Sequence, residues 1–477
     1  MVTGDRIQLA QADEGAQTIP AGGSDPSRFD WTEAWYPVHY LIDLDKAKPT
    51  RFTLLGRDLV IWWDRESATW CAFDDRCPHR LVPLSEGRIA DDGLLECPYH
   101  GWAFKGDGTC DRIPQEHADR VAHTSKRACA TSLPTAERQG LLFVYAGKPD
   151  HAPHVKVPII EPLQSSPDGW ICLNTVRDLP YDALTLLENV LDASHVPFTH
   201  HRSVGNRANA APVDLEVVDA GKQGFVGTWA EGPRRGQLGR QDTSFIAPSL
   251  MWHDLTSKQF GRTLTVVYAT PTRKGECRLF ARFPFKFSSK LPAFFIQLTP
   301  RWYSHLGQNS ILEEDQIFLH LQERALEAKG GSANVSKAFY LPTRADAFVL
   351  QLRQWVNQFD ADPFSGEPFS PALPAAVLMD RYYSHTVHCA SCRTALANIK
   401  RVRLGLAVTG AIAWSSLPIL TFLLSSPVWV TLVVGVFPLV AGAIWLWLGR
   451  LAQQFYKGRD IPTRNLPEKK YSGSHKA

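Results

Sequence analysis

Two clusters of residues in this 477-residue chain have the types and spacing that hold metals. The first is Cys77-Pro-His79 followed, after 17 residues, by Cys97-Pro-Tyr-His100, a C-x-H and C-x2-H pair. Each half offers one thiolate and one imidazole at the tip of a loop. Four such ligands could bind zinc tetrahedrally, or a [2Fe-2S] cluster in which two histidines replace two cysteines on one iron. Zinc sites usually use paired-cysteine knuckles, whereas each loop here mixes Cys with His, which suits a cluster if each loop gives one ligand to each iron. Cys71 and Cys110 flank the pair outside its pattern and read as small buried hydrophobes.

The second cluster is Glu188-Asn189-Val-Leu-Asp192-Ala-Ser-His195-Val-Pro-Phe-Thr-His200-His201. On a helix Asn189, Asp192 and His195 follow at i, i+3 spacing, and Pro197 is expected to end that helix so that His200 turns back toward His195. His201 rivals His200. Taken alone, two such histidines are either a metal site or ordinary surface and core residues.

The elements that must position these residues follow from the hydrophobic pattern. Short β-prone runs such as Leu59-Val60-Ile61-Trp62-Trp63 and Leu141-Leu142-Phe143-Val144-Tyr145 alternate with Gly, Pro and Asp breakers from about residue 31 to 147, which predicts a small antiparallel β domain. Residues 151–163 hold several prolines and read as a linker. A second domain mixes strands such as Thr263-Leu264-Thr265-Val266-Val267-Tyr268, a hairpin turn at Lys274-Gly275 and a helix over 311–327, which is α+β order. From residue 404 to 449 no residue is charged, a span of 46, or two lengths of the ~20 apolar residues that cross a bilayer. Ser425-Ser426-Pro427 interrupts it, so two transmembrane helices are expected over 404–424 and 428–448, joined by a tight turn. Lys400, Arg401 and Arg403 flank the entry and Arg450, Lys457 and Arg459 the exit, which places both ends on the cytoplasmic side.

Composition excludes other classes. A net charge of +3 from 51 basic and 48 acidic side chains argues against a nucleic-acid surface. Nine cysteines without a regular framework argue against a secreted disulfide scaffold and for a reducing compartment. The first 29 residues lack the basic start and apolar core of a secretory signal and read as a flexible tail.

Cys77-Pro-His-Arg80 and Cys97-Pro-Tyr-His-Gly-Trp102 closely resemble the Rieske box of ring-hydroxylating oxygenases, and the downstream N-x2-D-x2-H-x4-H extends the resemblance to both soluble domains. Asp380-Arg-Tyr-Tyr-Ser-His385-Thr-Val-His388-Cys389-Ala-Ser-Cys392, followed by the apolar hairpin, looks like the pheophorbide a oxygenase branch, whose relatives include Tic55-type inner-envelope proteins; Trp35-Tyr-Pro-Val38 also fits. The resemblance implies an N-terminal all-β Rieske domain (31–150), a helix-grip-like antiparallel β catalytic domain with helices (151–385), a juxtamembrane segment (386–400), a transmembrane hairpin (401–450) and a basic tail (451–477). It implies a [2Fe-2S] cluster on Cys77, His79, Cys97 and His100, and a mononuclear Fe(II) on His195, His200 and a carboxylate, Asp315 favoured over its neighbours Glu313 and Glu314 on an amphipathic helix. Asp192 matches the carboxylate that in the family's trimers bridges a neighbouring subunit's Rieske histidine to an iron-bound histidine, and Asn189 lies near the iron.

The implied activity is insertion of oxygen from O2 into a hydrophobic tetrapyrrole, pheophorbide a first, with opening of the macrocycle and ferredoxin as reductant. The alternatives are another tetrapyrrole or hydrophobic ring substrate, or a membrane redox sensor of the Tic55 kind. Cys389 and Cys392 form either a redox-responsive dithiol or two ordinary juxtamembrane cysteines; metal binding there is disfavoured because no second cysteine pair accompanies them, although His385 and His388 lie close. Few Arg or Ser precede Trp31, so no transit peptide is evident, and a bacterial or cyanobacterial protein in a plasma or thylakoid membrane is expected.

Overall fold

The computed structural model describes residues 27–257, 261–423 and 427–466. Most of the expected N-terminal tail, the Ser425-Ser426 turn and the end of the basic tail lie outside them.

The N-terminal region is all β, as its alternation predicts. Thr50–Leu54, Arg57–Asp64, Thr69–Asp74 and Ser132–Leu133 form one antiparallel sheet, and the short strands Arg88–Ile89, Leu95–Glu96, Ala103–Phe104 and Cys110–Arg112 form a second. Arg57–Asp64 is buried on both faces, and its period of two divides it between two cores. Val60 and Trp62 pack with Phe73, Phe104, Cys77 and Cys97, while Leu59 and Ile61 pack with Phe52, Trp70 and Leu142. Cys71 and Cys110 are buried in the first of these cores. A third sheet, Trp35–Tyr40 with Leu141–Tyr145 and Thr135–Arg138, abuts the catalytic region. There the Tyr40 hydroxyl donates to the Ala281 carbonyl at 3.0 Å and the Thr270 hydroxyl to that of Pro37 at 2.8 Å. The expected linker is pinned: Trp35 donates to the Val155 carbonyl and Tyr268 to that of Pro158.

The catalytic region is a seven-stranded antiparallel sheet. Ile171–Leu179 forms one edge, followed across the sheet by Glu276–Lys286, Gly261–Arg273, Leu250–Ser257, Gln241–Ile246, Gly224–Trp229 and Leu215–Gly221. Lys274-Gly275 makes the predicted hairpin turn, with Gly275 at φ +78° supplying the left-handed residue that the turn needs.

The helix expected over 311–327 is longer, Arg301–Glu327, entering after Pro300. Its buried face is polar: His305, Asn309, Glu313, Gln316, His320 and Glu323 follow at steps of three or four residues. Each finds a partner. His305 pairs with the Asn174 carbonyl, Asn309 and Glu313 with Arg177, Gln316 with the Leu378 carbonyl, His320 with the Pro180 carbonyl, and Glu323 with the Asp182 backbone N–H. Hydrogen bonding is what makes such burial affordable, because an unpartnered buried polar group costs ~1–3 kcal/mol.

Two helices are long and apolar enough to cross a membrane, Ala390–Leu423 and Val428–Gln453. The first starts 14 residues earlier than expected, directly after Cys389. Small residues face one another where the helices meet, with a Cβ at Gly410 falling 3.9 Å from that of Ala441. Arg403 lies 4.1 Å over the Trp445 ring at the entry. The segment beyond Gln453, expected to be a tail, returns to the catalytic region: Arg381 N–H donates to the Tyr456 carbonyl, Gly458 N–H to that of Met379, and Asp380 bridges Lys457.

Candidate active site

The two cysteine loops of the N-terminal region have the same backbone turn. Cys77 N–H donates to the Val82 carbonyl and Leu81 N–H back to Cys77; Cys97 N–H donates to the Trp102 carbonyl and Gly101 N–H back to Cys97. The fourth residue after each cysteine is left-handed, Gly101 at φ +72° without strain and Leu81 at φ +60° with it. The loops meet tip to tip. The His79 and His100 rings lie 4.6 Å apart, and His79 stacks on Trp102 at 4.7 Å with 5° between the planes. Both thiols are buried while His79 is exposed. Among the described residues, two other sets of ligand atoms converge within 4.8 Å, and this quartet is not one of them. One thiol and one imidazole from each loop suit a two-iron cluster, with sulfur inside and imidazole toward the surface.

His195, His200 and Asp315 are one of the convergent sets. His200 Nε2 is 3.2 Å and His195 Nε2 4.0 Å from the Asp315 carboxylate, and the two rings are 5.3 Å apart. The local path differs from the expected one. The helix Ala183–Leu191 ends before Asp192, and Pro197 opens a separate turn, Val196–Thr199, instead of ending a helix through His195. Proline lacks only an N–H that is unbonded in a first turn, so it starts helices as readily as it stops them. Asp192 Oδ1 accepts from the Ser194 N–H and hydroxyl, which turns the chain, and the Asp192 carbonyl accepts from His195 Nδ1. His200 Nδ1 donates to Glu314 at 2.8 Å. With each Nδ1 so engaged, both Nε2 atoms are left as donors of a lone pair toward Asp315, the arrangement that metal-binding histidines adopt.

The consecutive acids Glu313, Glu314 and Asp315 are all buried, and each faces a different neighbour because helix residues step ~100° apart. Glu313 pairs with Arg177 at 2.8 Å and Arg381 at 2.7 Å. Glu314 accepts from His200, from the Ser203 hydroxyl at 2.7 Å and from the Thr463 hydroxyl. Burial works to raise the Glu314 pKa, but these hydrogen bonds outweigh it and hold the carboxyl below its usual range. Burial pushes the Asp315 carboxyl up, opposed by the His200 and His195 imidazoles. Asn189 Nδ2 sits 3.5 Å from Asp315 Oδ1. His201, the rival of His200, instead accepts the Arg207 N–H at 3.2 Å and lies outside the convergent set.

Sequence reasoning missed Glu314 as the partner of His200, and Thr463 and Arg464 altogether. Thr463 caps Glu314, and Arg464 donates to the Glu314 and Thr199 carbonyls, although both residues follow the apolar hairpin. A cavity of about 980 Å³ opens on His195, His200 and Asp315, walled by Phe198, Val204, Trp229 and Phe283, with Arg234 and Arg235 also lining it. Cys389 and Cys392 are buried and meet His305 and His385, the other convergent set.

Two family models match the chain, Rieske [2Fe-2S] domain over residues 34–134 and Pheophorbide a oxygenase over 245–333. The chain is 38% identical to the chloroplastic pheophorbide a oxygenase of Oryza sativa subsp. japonica, over 82% of this chain and 79% of that one. It is 39% identical to the chloroplastic pheophorbide a oxygenase of Arabidopsis thaliana, over 77% and 73%. The fold matches NdmA of Pseudomonas putida CBB5 with caffeine at a TM-score of 0.56 and 19% identity, covering 68% of this chain and 90% of that one. The chloroplast location of these relatives, shared by the TIC 55 proteins, overturns the expected bacterial or cyanobacterial origin and plasma membrane. That expectation rested on leader composition, which is no property of the folded domains. The N-terminal region takes a [2Fe-2S] cluster and the catalytic region a mononuclear iron. Two donor sets of the right chemistry, a large cavity beside one of them and this degree of identity lead to one conclusion: the chain belongs to the Rieske non-haem iron oxygenases, in the branch of the pheophorbide a oxygenases and TIC 55 proteins.

Proposed function

We propose that this chain, anchored in a chloroplast membrane by its apolar hairpin, inserts oxygen from O2 into pheophorbide a and opens the macrocycle at a methine bridge, with ferredoxin as reductant. The observation that carries this reading is the cavity of about 980 Å³ beside His195, His200 and Asp315, in a chain so similar to two pheophorbide a oxygenases. That volume is at the top of the ~300–1,000 Å³ range of small-molecule sites and suits a flat macrocycle. Its aromatic and aliphatic walls favour an apolar ring system, and Arg234 and Arg235 offer cations to a carboxylate on the ring edge.

Cys77, His79, Cys97 and His100 would hold the cluster, and His195, His200 and Asp315 the iron; when bound, these groups supply one-electron delivery and dioxygen activation. Glu314 keeps His200 in the tautomer that binds through Nε2, and Asn189 restrains the Asp315 carboxylate. Asp192 keeps Oδ1 on Ser194, while its Oδ2, 3.9 Å from His195 Nδ1, stands at a partly exposed edge. That oxygen is suited to accept a hydrogen bond from the exposed cluster-side imidazole of a second copy, as a homotrimer would arrange.

The test is anaerobic incubation of iron-replete protein with reduced ferredoxin and pheophorbide a, then labelled dioxygen and mass analysis. A product that gains one labelled oxygen, and vanishes in His195→Ala while the cluster spectrum stays intact, is the expected result. A reducible cluster with untouched pheophorbide would refute the substrate and return the chain to an oxygenase of another hydrophobic ring.

A further inference from the structure

We propose that His305, His385, Cys389 and Cys392 bind a structural zinc ion, at a site separate from both iron centres. His305 Nδ1 lies 3.4 Å from Cys389 Sγ and 3.5 Å from Cys392 Sγ, and His385 Nε2 lies 3.3 Å from Cys392 Sγ. Tetrahedral zinc, with bonds of ~2.3 Å to sulfur and ~2.0–2.1 Å to nitrogen, has N···S edges of roughly 3.5 Å. The quartet therefore already has the dimensions of a coordination sphere.

The outer nitrogens supply the second argument. His305 Nε2 donates to the Asn174 carbonyl at 2.7 Å and His385 Nδ1 to the Val176 carbonyl at 2.6 Å. These bonds fix both tautomers so that the inner nitrogens present lone pairs to the sulfurs, which is how metal-binding imidazoles are oriented. All four side chains are buried, with residue exposures of 0–2%. Two thiolates would cancel the charge of a divalent ion, leaving a neutral unit in a region that would not tolerate a bare charge. A Cys389–Cys392 disulfide would instead leave two oriented imidazole nitrogens facing no donor.

The ligands come from three elements. His305 is on the helix that carries Asp315 ten residues later, His385 is in the loop over the strand Ile171–Leu179, and Cys389 and Cys392 begin the first apolar helix. The zinc would clamp the base of the apolar hairpin to the iron-bearing helix.

The experiment uses full-length protein in detergent, purified without metal-affinity steps. Elemental analysis beside cluster absorbance is expected to give one zinc per chain, and zinc-edge X-ray absorption a shell of two sulfurs and two nitrogens. Cys392→Ser is expected to lose at least tenfold in bound zinc while keeping the cluster spectrum. Because that variant could fail to fold, alkylation is followed in the unmodified protein, where Cys389 and Cys392 are expected to react only after chelation. Cluster-replete protein lacking zinc, an oxygen-and-nitrogen shell, or a native Cys389–Cys392 disulfide would each overturn the proposal.

Discussion

Glu314 is placed to decide how tightly iron is held without touching it. Its carboxylate receives His200 Nδ1, Ser203 and Thr463 together inside the fold. Replacing it with Gln keeps an oxygen for His200 but removes the charge, and a charge-assisted hydrogen bond is about twice as strong as a neutral one. Replacing it with Ala leaves His200 Nδ1 without its acceptor and frees the ring to rotate, while the Ser203 and Thr463 hydroxyls keep the His200 and His201 carbonyls as acceptors. Loss of such an outer partner costs about 10- to 100-fold in metal affinity, or about 1.4–2.7 kcal/mol. We expect Glu314→Gln near the lower figure and Glu314→Ala near the upper one. The assay is anaerobic Fe(II) competition against a chromophoric chelator, with the cluster's visible spectrum as the control for folding. If Glu314→Ala holds iron within twofold of the unmodified protein, His200 is not positioned by this carboxylate and the reasoning fails.

Gly205→Ala would bring a Cβ within 2.1 Å of the Val196 carbonyl, in the turn where Gly205 N–H donates to the His200 carbonyl. Its iron content should fall with the cluster unaffected, as measured by metal analysis. Glu313→Leu leaves Arg177 and Arg381 buried without their carboxylate, which should destabilise the protein by about 3–5 kcal/mol and lower its thermal midpoint strongly. Glu323 is pushed up to about 8, first by burial and then by Asp182. The folded state therefore binds a proton that the unfolded chain has released, so this group makes stability fall as pH rises from about 4.5 to about 8, by at most ~1.4 kcal/mol per unit. In Glu323→Gln the thermal midpoint should decline less over that interval; an unchanged pH slope would show that the group does not titrate there.

The legible and illegible parts of the site differ in how far apart in sequence their partners lie. The two cysteine loops can be read because each carries its Cys and His within three residues and repeats the other's turn. Asp315 could not be separated from Glu313 and Glu314 by pattern, since what distinguishes them is Arg381 and Thr463, far downstream. The start of the helix that carries Asp315 was missed for a related reason. Apolar periodicity marks a helix whose inner face is oily, and this one turns His305, Asn309, Glu313 and Gln316 inward. Metal binding at Cys389-x2-Cys392 was disfavoured for want of a second cysteine pair: His385 lies four residues before Cys389, but the other histidine, His305, is 84 residues away. The misread of Pro197 was local: the same residue starts or stops a turn according to what Asp192 caps.

The apolar hairpin is an excursion between two contacts of the chain with the catalytic region. The chain leaves the catalytic region at Cys389 and re-enters it at Tyr456, and the hydroxyl that completes the shell of His200 belongs to Thr463. Both stems thus lie on one face of any bilayer that the hairpin crosses, whatever the charges at its ends. The order along the chain follows: the sheet and the helix that carries Asp315 precede both apolar helices, and Thr463, which donates to Glu314, comes after them. A chain truncated before the hairpin would lose Thr463 and Arg464 with it, and so the groups that hold Glu314 from behind His200.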